Sequence, residues 1–392
     1  MKLNKSKIDE EIYYYVLKTG EKRFLYRHKY YDVLGKRKEK KKSGFITDKD
    51  ALKALLEDKS AILNGQFKQV EESKMTVSNW LDIWYETYNN GWGVKTKERR
   101  EDIIKHQIKP LLGKCLLTDL DKSTYKRKYI NPLLKKYKPG SVRLFHRIFC
   151  IAINAAVDDE ILIRNRFKNI KIEMDDKLEN FLTPQELNTF LDVAKTFNPT
   201  RYTMVMLLAY TGLRKGEAQG LKWNDVDFTN KKITIAFTRD KHGERPPKTK
   251  NSYRTISIDD KLIKQLERYK KWCVEIKFKN GMKLDKKKDY VFISALTGEP
   301  IGETLLYQTF RNIYKKIKED KLNIKEITPH GLRHTHATVL INNGVPPKTV
   351  ANRLGNTVEM VYTVYSHSFD EMEEKAVSIF SNSLSGANTG AK

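Results

Sequence analysis

Thr328-Pro329-His330-Gly331-Leu332-Arg333-His334-Thr335-His336 is the stretch on which the reading of this chain turns. Thr328 suits a helix N-cap, Pro329 suits the first helical position, and Asn342-Asn343-Gly344 carries residues that close a helix. On such a helix His330, Arg333 and His334 stand at i, i+3 and i+4 and share one face. The free N–H groups and the positive end of the helix dipole lie at the same end, so the segment points to a bound anion. Its histidine spacing could also hold a metal, but no Cys or carboxylate ligand stands beside it and it is not the HExxH pattern, so no metal is assigned. His334 and His336 would ordinarily be satisfied core residues.

Two other stretches carry charge in apolar surroundings. Ala209-Tyr210-Thr211-Gly212-Leu213-Arg214-Lys215-Gly216-Glu217 sets an arginine just past a glycine turn, and the neighbouring Leu207, Leu208 and Leu221 predict a buried guanidinium held by Glu217. An exposed Arg–Glu pair would contribute well under ~1 kcal/mol. Near the end come Arg353-Leu354-Gly355-Asn356 and then Tyr362-Thr363-Val364-Tyr365-Ser366-His367, whose tyrosines alone would read as core aromatics.

Over 392 residues, 75 Lys and Arg stand against 49 Asp and Glu, a net charge of +26. With 39% hydrophobic and 10% aromatic residues the chain can bury cores, which excludes a disordered polymer. Excess positive charge spread along the whole sequence is the footprint of a polyanion, nucleic acid above all. The longest nearly unbroken apolar stretch, Met204–Leu213, is too short for a membrane span, and the charged start MKLNKSKIDEE does not read as a signal peptide. Cys115, Cys150 and Cys273 are few, odd in number and far apart, which fits a reducing compartment.

The expected fold class is α+β multidomain. Residues 1–70 read as a three-stranded sheet, with strands at Ile12–Leu17, Arg23–Tyr31 and Gly44–Ile46, followed by a helix from Thr47. The run Lys36-Arg37-Lys38-Glu39-Lys40-Lys41-Lys42 lies between strands, as a solvated turn or a set of phosphate contacts. Residues 75–172 read as a four-helix bundle opened by Thr76, its third helix broken at Pro132 and its fourth marked by Val142, Phe145, Phe149, Ala152 and Ala156. A charged linker around Lys168–Glu179 leads to residues 180–384. These read as mixed and mainly helical, with a small antiparallel sheet of Lys232–Phe237, Tyr253–Ile258 and Tyr290–Ser294. Residues 385–392 read as a disordered tail.

The motifs TGLRKGE, HGLRH and RLGN, the last followed nine residues later by the tyrosine of YSH, resemble in order and separation those of the tyrosine recombinase family. The likeness is to three-domain integrases of phages and integrative conjugative elements. The resemblance implies an arm-site DNA-binding domain at 1–70, a core-site DNA-binding domain at 75–172 and a catalytic domain at 180–384. It implies that Arg214 and Arg333 grip the scissile phosphate, that His330 shuttles a proton, that Lys248 (with Lys250 as the alternative) is general acid to the leaving 5′ oxygen, and that Tyr365 is the nucleophile. Tyr362 is the lesser candidate. Family members mostly carry His or Trp where this chain has Asn356, which can donate a hydrogen bond but transfer no proton, and which could instead cap a helix.

The implied activity is DNA cleavage and rejoining through a 3′-phosphotyrosine, integrating and excising a mobile element or prophage. It implies double-stranded DNA with core and arm attachment sites, a homotetramer, and DNA-bending and excision accessory proteins as partners. It also implies no cofactor, no metal and no membrane, with action in the bacterial cytoplasm at the nucleoid. Phe369, Met372, Ala376, Ile379 and Phe380 form an apolar stripe suited to docking in cis or in trans. A type IB topoisomerase-like enzyme would share the chemistry without needing an arm module. A non-catalytic DNA-binding protein would explain the charge but not the phosphate-gripping set.

Overall fold

The computed structural model describes residues 3–31, 36–63, 74–174, 179–247, 249–365 and 380–381. The chain divides into two compact units, Met1–Asp176 and Lys177–Lys392. The architecture is the α+β one expected, with differences in detail. Lys248, the side chain of Lys250, residues 175–178 of the expected linker, the expected tail at 385–392, and Phe369, Met372, Ala376 and Ile379 of the apolar stripe lie outside the described residues.

The first unit opens with an antiparallel sheet in the order β1 (Asn4–Lys5), β2 (Ile12–Val16), β3 (Lys22–Tyr31), β4 (Arg37–Phe45). This is four strands where three were expected, the addition being the two-residue β1. The lysine run is no turn either. It is β4 itself, paired with β3 from Tyr31↔Arg37 to Tyr26↔Lys42. Lysine is a poor strand former by propensity, but β4 is an edge strand whose inward-facing N–H and C=O groups pair with β3, and β3 supplies the aromatic residues beside it. Alternation then divides the run. Lys38, Lys40 and Lys42 pair with Tyr30, His28 and Tyr26 on the face covered by α1 (Asp48–Leu63), where Ile12, Tyr26, Ala51 and Leu55 form the core. Arg37, Glu39 and Lys41 lie on the opposite, open face and are exposed. Tyr26 donates its hydroxyl to the Asp58 carboxylate of α1, which fixes helix to sheet.

The bundle begins where Thr76 caps α2 (Val77–Tyr88), its hydroxyl accepting from the Asn79 N–H at 3.2 Å. α3 runs through Val94–Ile103, a π-helical turn at Ile104–Ile108 and Lys109–Leu112. α4 repeats the plan with Lys122–Tyr125, a π turn at Lys126–Ile130 and Asn131–Lys136. Pro132 therefore does not break its helix. A proline ring clashes with the carbonyl four residues back, and here, as at Pro110, that carbonyl belongs to the wider π turn. α5 (Pro139–Asp158) is long and apolar enough to cross a membrane by length and composition, but half of that stretch is buried inside the bundle. Its Ala152 carbonyl takes the Trp80 indole N–H at 2.8 Å.

The second unit starts at α6 (Pro184–Lys195), where Thr183 and Glu186 form the capping box read from sequence. α7 (Pro199–Thr211), α8 (Lys215–Gly220), α9 (Asp260–Lys279) and α10 (Leu305–Glu319) surround a three-stranded sheet, β5 (Val226–Asp227), β6 (Lys232–Ile235) and, after the hairpin β7 (Thr238–Asp240) and β8 (Gly243–Arg245), β9 (Arg254–Ser257). Tyr290–Ser294 is not the third strand. Val226–Asp227 pairs with β6 instead, and Val291, Phe292 and Ile293 are fully buried, their backbone satisfied singly by Leu221 and the Tyr269 hydroxyl. That run makes single bridges, Tyr290 to Lys222 and Ile293 to Pro300, rather than a ladder. α11 (Gly331–Asn342), α12 (Pro347–Leu354) and α13 (Val358–Val364) complete the unit, with Ala337, Ile341, Val350, Ala351, Leu354, Val361 and Tyr365 as their common core.

Candidate active site

Two glycine-capped helix ends build the site. α7 ends at Gly212 (φ +65°) and α12 at Gly355 (φ +66°), left-handed conformations that only glycine adopts without strain. Both chains then turn sharply and deliver Arg214 and Asn356. The approach is tight: a Cβ at Gly212 would lie 2.6 Å from Leu354 Cδ2.

Arg333 ties the two ends together from the first turn of α11. Its Nη1 donates to the Gly212 carbonyl at 2.8 Å, and its Nη2 to the Leu354 carbonyl at 2.7 Å and to Asn356 Oδ1 at 2.9 Å. Arg214 donates from Nη2 to that same Oδ1 at 2.7 Å. Two guanidiniums thus converge on one oxygen, each through its Nη2. Burial, and then the charge of Arg214, push the Arg333 pKa down, yet a guanidinium stays protonated at neutral pH. The pair concentrates positive charge at one point, where the amide oxygen of Asn356 is the neutral acceptor.

Several expectations change here. Asn356 caps no helix; Thr357 does, accepting from the Met360 N–H at 3.3 Å. Thr328 is not the cap of α11, which begins after His330, and its hydroxyl bonds Asn180. In the Arg214–Glu217 pair (2.8 Å) the buried member is the carboxylate, 4% exposed, while the Arg214 side chain is 38% exposed toward the site. Burial works against ionising Glu217, but the hydrogen bonds and charges of Arg254 and Arg214 outweigh it and hold its pKa below the usual range.

Tyr365 closes α13 and is 2% exposed. Burial raises its pKa and outweighs the opposing pull of Arg333 and Arg214, so the phenol is protonated at neutral pH. The histidine lying against it is His334, with ring centroids 5.6 Å apart; His330 in turn packs on His334 at 4.8 Å. His330 keeps solvent-exposed surface, but the protein packed about its ring, and then the charges of His334, Arg333 and Arg214, push its pKa down to about 4. It is neutral at pH 7. Tyr362 is half exposed on α13, away from this cluster's core.

Sequence reasoning missed two arginines. Arg254 Nε donates to the Arg353 carbonyl at 2.7 Å and its Nη2 to Glu217 at 2.8 Å. Arg353 Nε donates to His336 Nε2 at 2.9 Å. The signal for Arg254 was present: it shares the inward face of β9 with buried Ile256, an unusual place for a charge.

A mixed domain that brings two arginines from distant parts of the chain to one oxygen, and packs two histidines and a tyrosine on one another in the same unit, has the makeup of a phosphodiester strand-transfer enzyme. Family comparison agrees: residues 180–372 match the phage integrase family, 76–134 the phage integrase N-terminal SAM-like domain and 12–62 an arm DNA-binding domain. The chain is 28% identical to a XerC-like tyrosine recombinase of Caldanaerobacter subterraneus, covering 96% of this chain and 97% of that one. It is 30% identical to the ICEBs1 integrase of Bacillus subtilis, covering 57% of this chain and 60% of the relative. Among solved structures, the Tn1549 transposon integrase in complex with transposon right end DNA shares the fold (TM-score 0.66, 24% identity, 77% of this chain and 100% of that one). So does a lambda integrase dimer bound to a core site (TM-score 0.56, 18% identity, 92% and 95%). The chain belongs to the phage integrase family of tyrosine recombinases, enzymes that cut and rejoin DNA.

Proposed function

We propose that this recombinase integrates and excises a mobile element or prophage, with Tyr365 as nucleophile, Arg214 and Arg333 on the scissile phosphate, Asn356 beside them, His330 as proton acceptor and Lys248 as general acid. The observation that carries this reading is the convergence of Arg214 and Arg333 on one oxygen, at 2.7 and 2.9 Å. That point is where a non-bridging phosphate oxygen fits, and two guanidiniums there stabilise the charge that grows in a five-coordinate transition state.

The chemistry follows. Tyr365 Oη attacks phosphorus, its proton passing to His330, while the bond to the 5′ oxygen breaks and that oxygen takes a proton from Lys248. A 3′-phosphotyrosine results. A 5′-hydroxyl of a partner duplex then attacks the same phosphorus, giving its proton to the deprotonated Lys248, and expels the phenolate, which recovers its proton from His330. Exchange of both strand pairs needs four protomers. Residues 1–70 would bind arm sites, 75–172 core sites, and 180–384 would act on the phosphate, with bending and excision proteins as helpers on DNA inside the bacterial cell. A lambda integrase tetramer bound to a Holliday junction is a structural relative of TM-score 0.56.

The test is a nicked suicide duplex carrying the element's junction. The wild-type chain should form a covalent 3′ adduct, and Tyr365→Phe should bind the duplex equally well but form none. An adduct with Tyr365→Phe would move the nucleophile elsewhere, and no adduct from wild type on any junction would favour a binding protein.

A further inference from the structure

We infer that Arg254 is a positioning residue that keeps Arg214 free to grip the phosphate and sets Asn356 beside it. The inference rests on the reading that those two residues act on the scissile phosphate. The Arg254 side chain is 7% exposed, and all three of its nitrogens are engaged. Nε donates to the Arg353 carbonyl at 2.7 Å, Nη1 to the Ser252 carbonyl at 3.0 Å and to Glu217 Oε1 at 3.3 Å, and Nη2 to Glu217 Oε2 at 2.8 Å. It faces away from solvent and reaches no substrate.

Two consequences follow from that geometry. Glu217 is a buried carboxylate that must be neutralised, and Arg254 meets both its oxygens. Arg214 therefore gives it only Nη1, at 2.8 Å, and its backbone N–H, at 3.0 Å, leaving Nη2 turned toward Asn356. Without Arg254, the carboxylate would draw the whole Arg214 fork inward. The second consequence concerns the end of α12. The Arg353 carbonyl rests on Arg254 Nε, and a Cβ at Gly355 would lie 2.8 Å from Nη1, so the turn that presents Asn356 is laid directly on this guanidinium. One planar group thus fixes both halves of the anion site. A lysine could neutralise Glu217 but could not reach the Ser252 and Arg353 carbonyls as well.

The experiment compares Arg254→Gln and Arg254→Lys with the full-length wild-type chain on the nicked duplex. One substrate has an ordinary scissile phosphate; the other has a methyl group replacing one non-bridging oxygen, which removes the charge the arginines serve. Both variants should bind DNA as wild type does; Arg254→Gln, which leaves Glu217 with Arg214 alone, should melt lower and Arg254→Lys less so. At a temperature where all three chains are folded, both should lose about 30-fold or more in maximal cleavage rate at unchanged apparent KM. On the uncharged methylphosphonate that loss should shrink about tenfold, because a misplaced Arg214 matters less there. An equal loss on both substrates, no loss on either, or a loss matched by falling DNA affinity would reduce Arg254 to a structural strut and overturn the inference. Absence of any adduct from wild type would overturn the functional reading and this inference with it.

Discussion

Arg353 donates from Nε to Nε2 of His336 at 2.9 Å. The imidazole therefore carries its proton on Nδ1, which donates to the Ala209 carbonyl at 2.9 Å, and it is neutral. Burial, and then the charge of Arg353, push its pKa down to about 4. A depressed histidine pKa stabilises the fold above the unfolded value of about 6.5, and that contribution is lost as pH falls toward the folded value. The melting temperature of the second unit should fall as pH is lowered from 6.5 to 4. His336→Asn should flatten that part of the profile while lowering the melting temperature at pH 7. Differential scanning calorimetry across the range checks both.

Asn356 sits between two guanidiniums, so its replacements separate charge from hydrogen bonding. Asn356→Asp places an anion in the position proposed for the phosphate oxygen, and single-turnover cleavage should fall about 100-fold through competition with the substrate. Asn356→Ala, which removes both the acceptor and the donor of the amide without adding charge, should cost about tenfold. Asn356→His should raise the rate, and no gain would mean that the asparagine imposes no deficit.

The two glycine caps predict a split between folding and chemistry. Gly212→Ala adds a left-handed penalty of about 1–2 kcal/mol and a methyl group that meets Leu354 and His336, so the second unit should melt measurably lower. In Gly355→Ala the new methyl presses on Arg254 and the Asn251 carbonyl, both at 2.8 Å. Cleavage should therefore fall far more than DNA affinity, as comparison of adduct formation with gel-shift binding would show.

The alternation of β4 makes neighbouring lysines unequal. Lys41 lies on the open face and Lys40, 9% exposed, on the face under α1. Lys41→Ala should weaken binding to an arm-site duplex and lower the salt slope by about one. Lys40→Ala should instead alter the melting of the residue 1–63 module. Binding titrations at several salt concentrations distinguish the two.

The site was legible in the sequence where a residue type has one use. Arg214, Arg333 and Tyr365 stand in motifs whose order marks them, and the capping box at Thr183 and the cap at Thr76 follow from side-chain reach alone. What the sequence concealed depends on the partner across the fold. The β4 ladder overrides the poor strand propensity of lysine, and the π turns before Pro110 and Pro132 absorb rings that local rules count as breaks. The side chain of Asn356 was free to cap a helix until two arginines from elsewhere claimed it. Arg254 belongs to no motif, and its role appears only where a strand, a helix start and a helix end meet.

The strand β4 also bears on how this chain can change. Its cations are sorted between two faces by parity, so a single residue inserted between Tyr31 and Arg37 that shifted the pairing by one would exchange the sets, turning Lys38, Lys40 and Lys42 outward and Arg37, Glu39 and Lys41 under the helix. Substituting one side chain disturbs one contact, whereas altering the length of this segment disturbs them all. Variation among functional descendants of this sequence should accumulate here as exchanges of residues, with insertions and deletions confined to lengths that preserve the register.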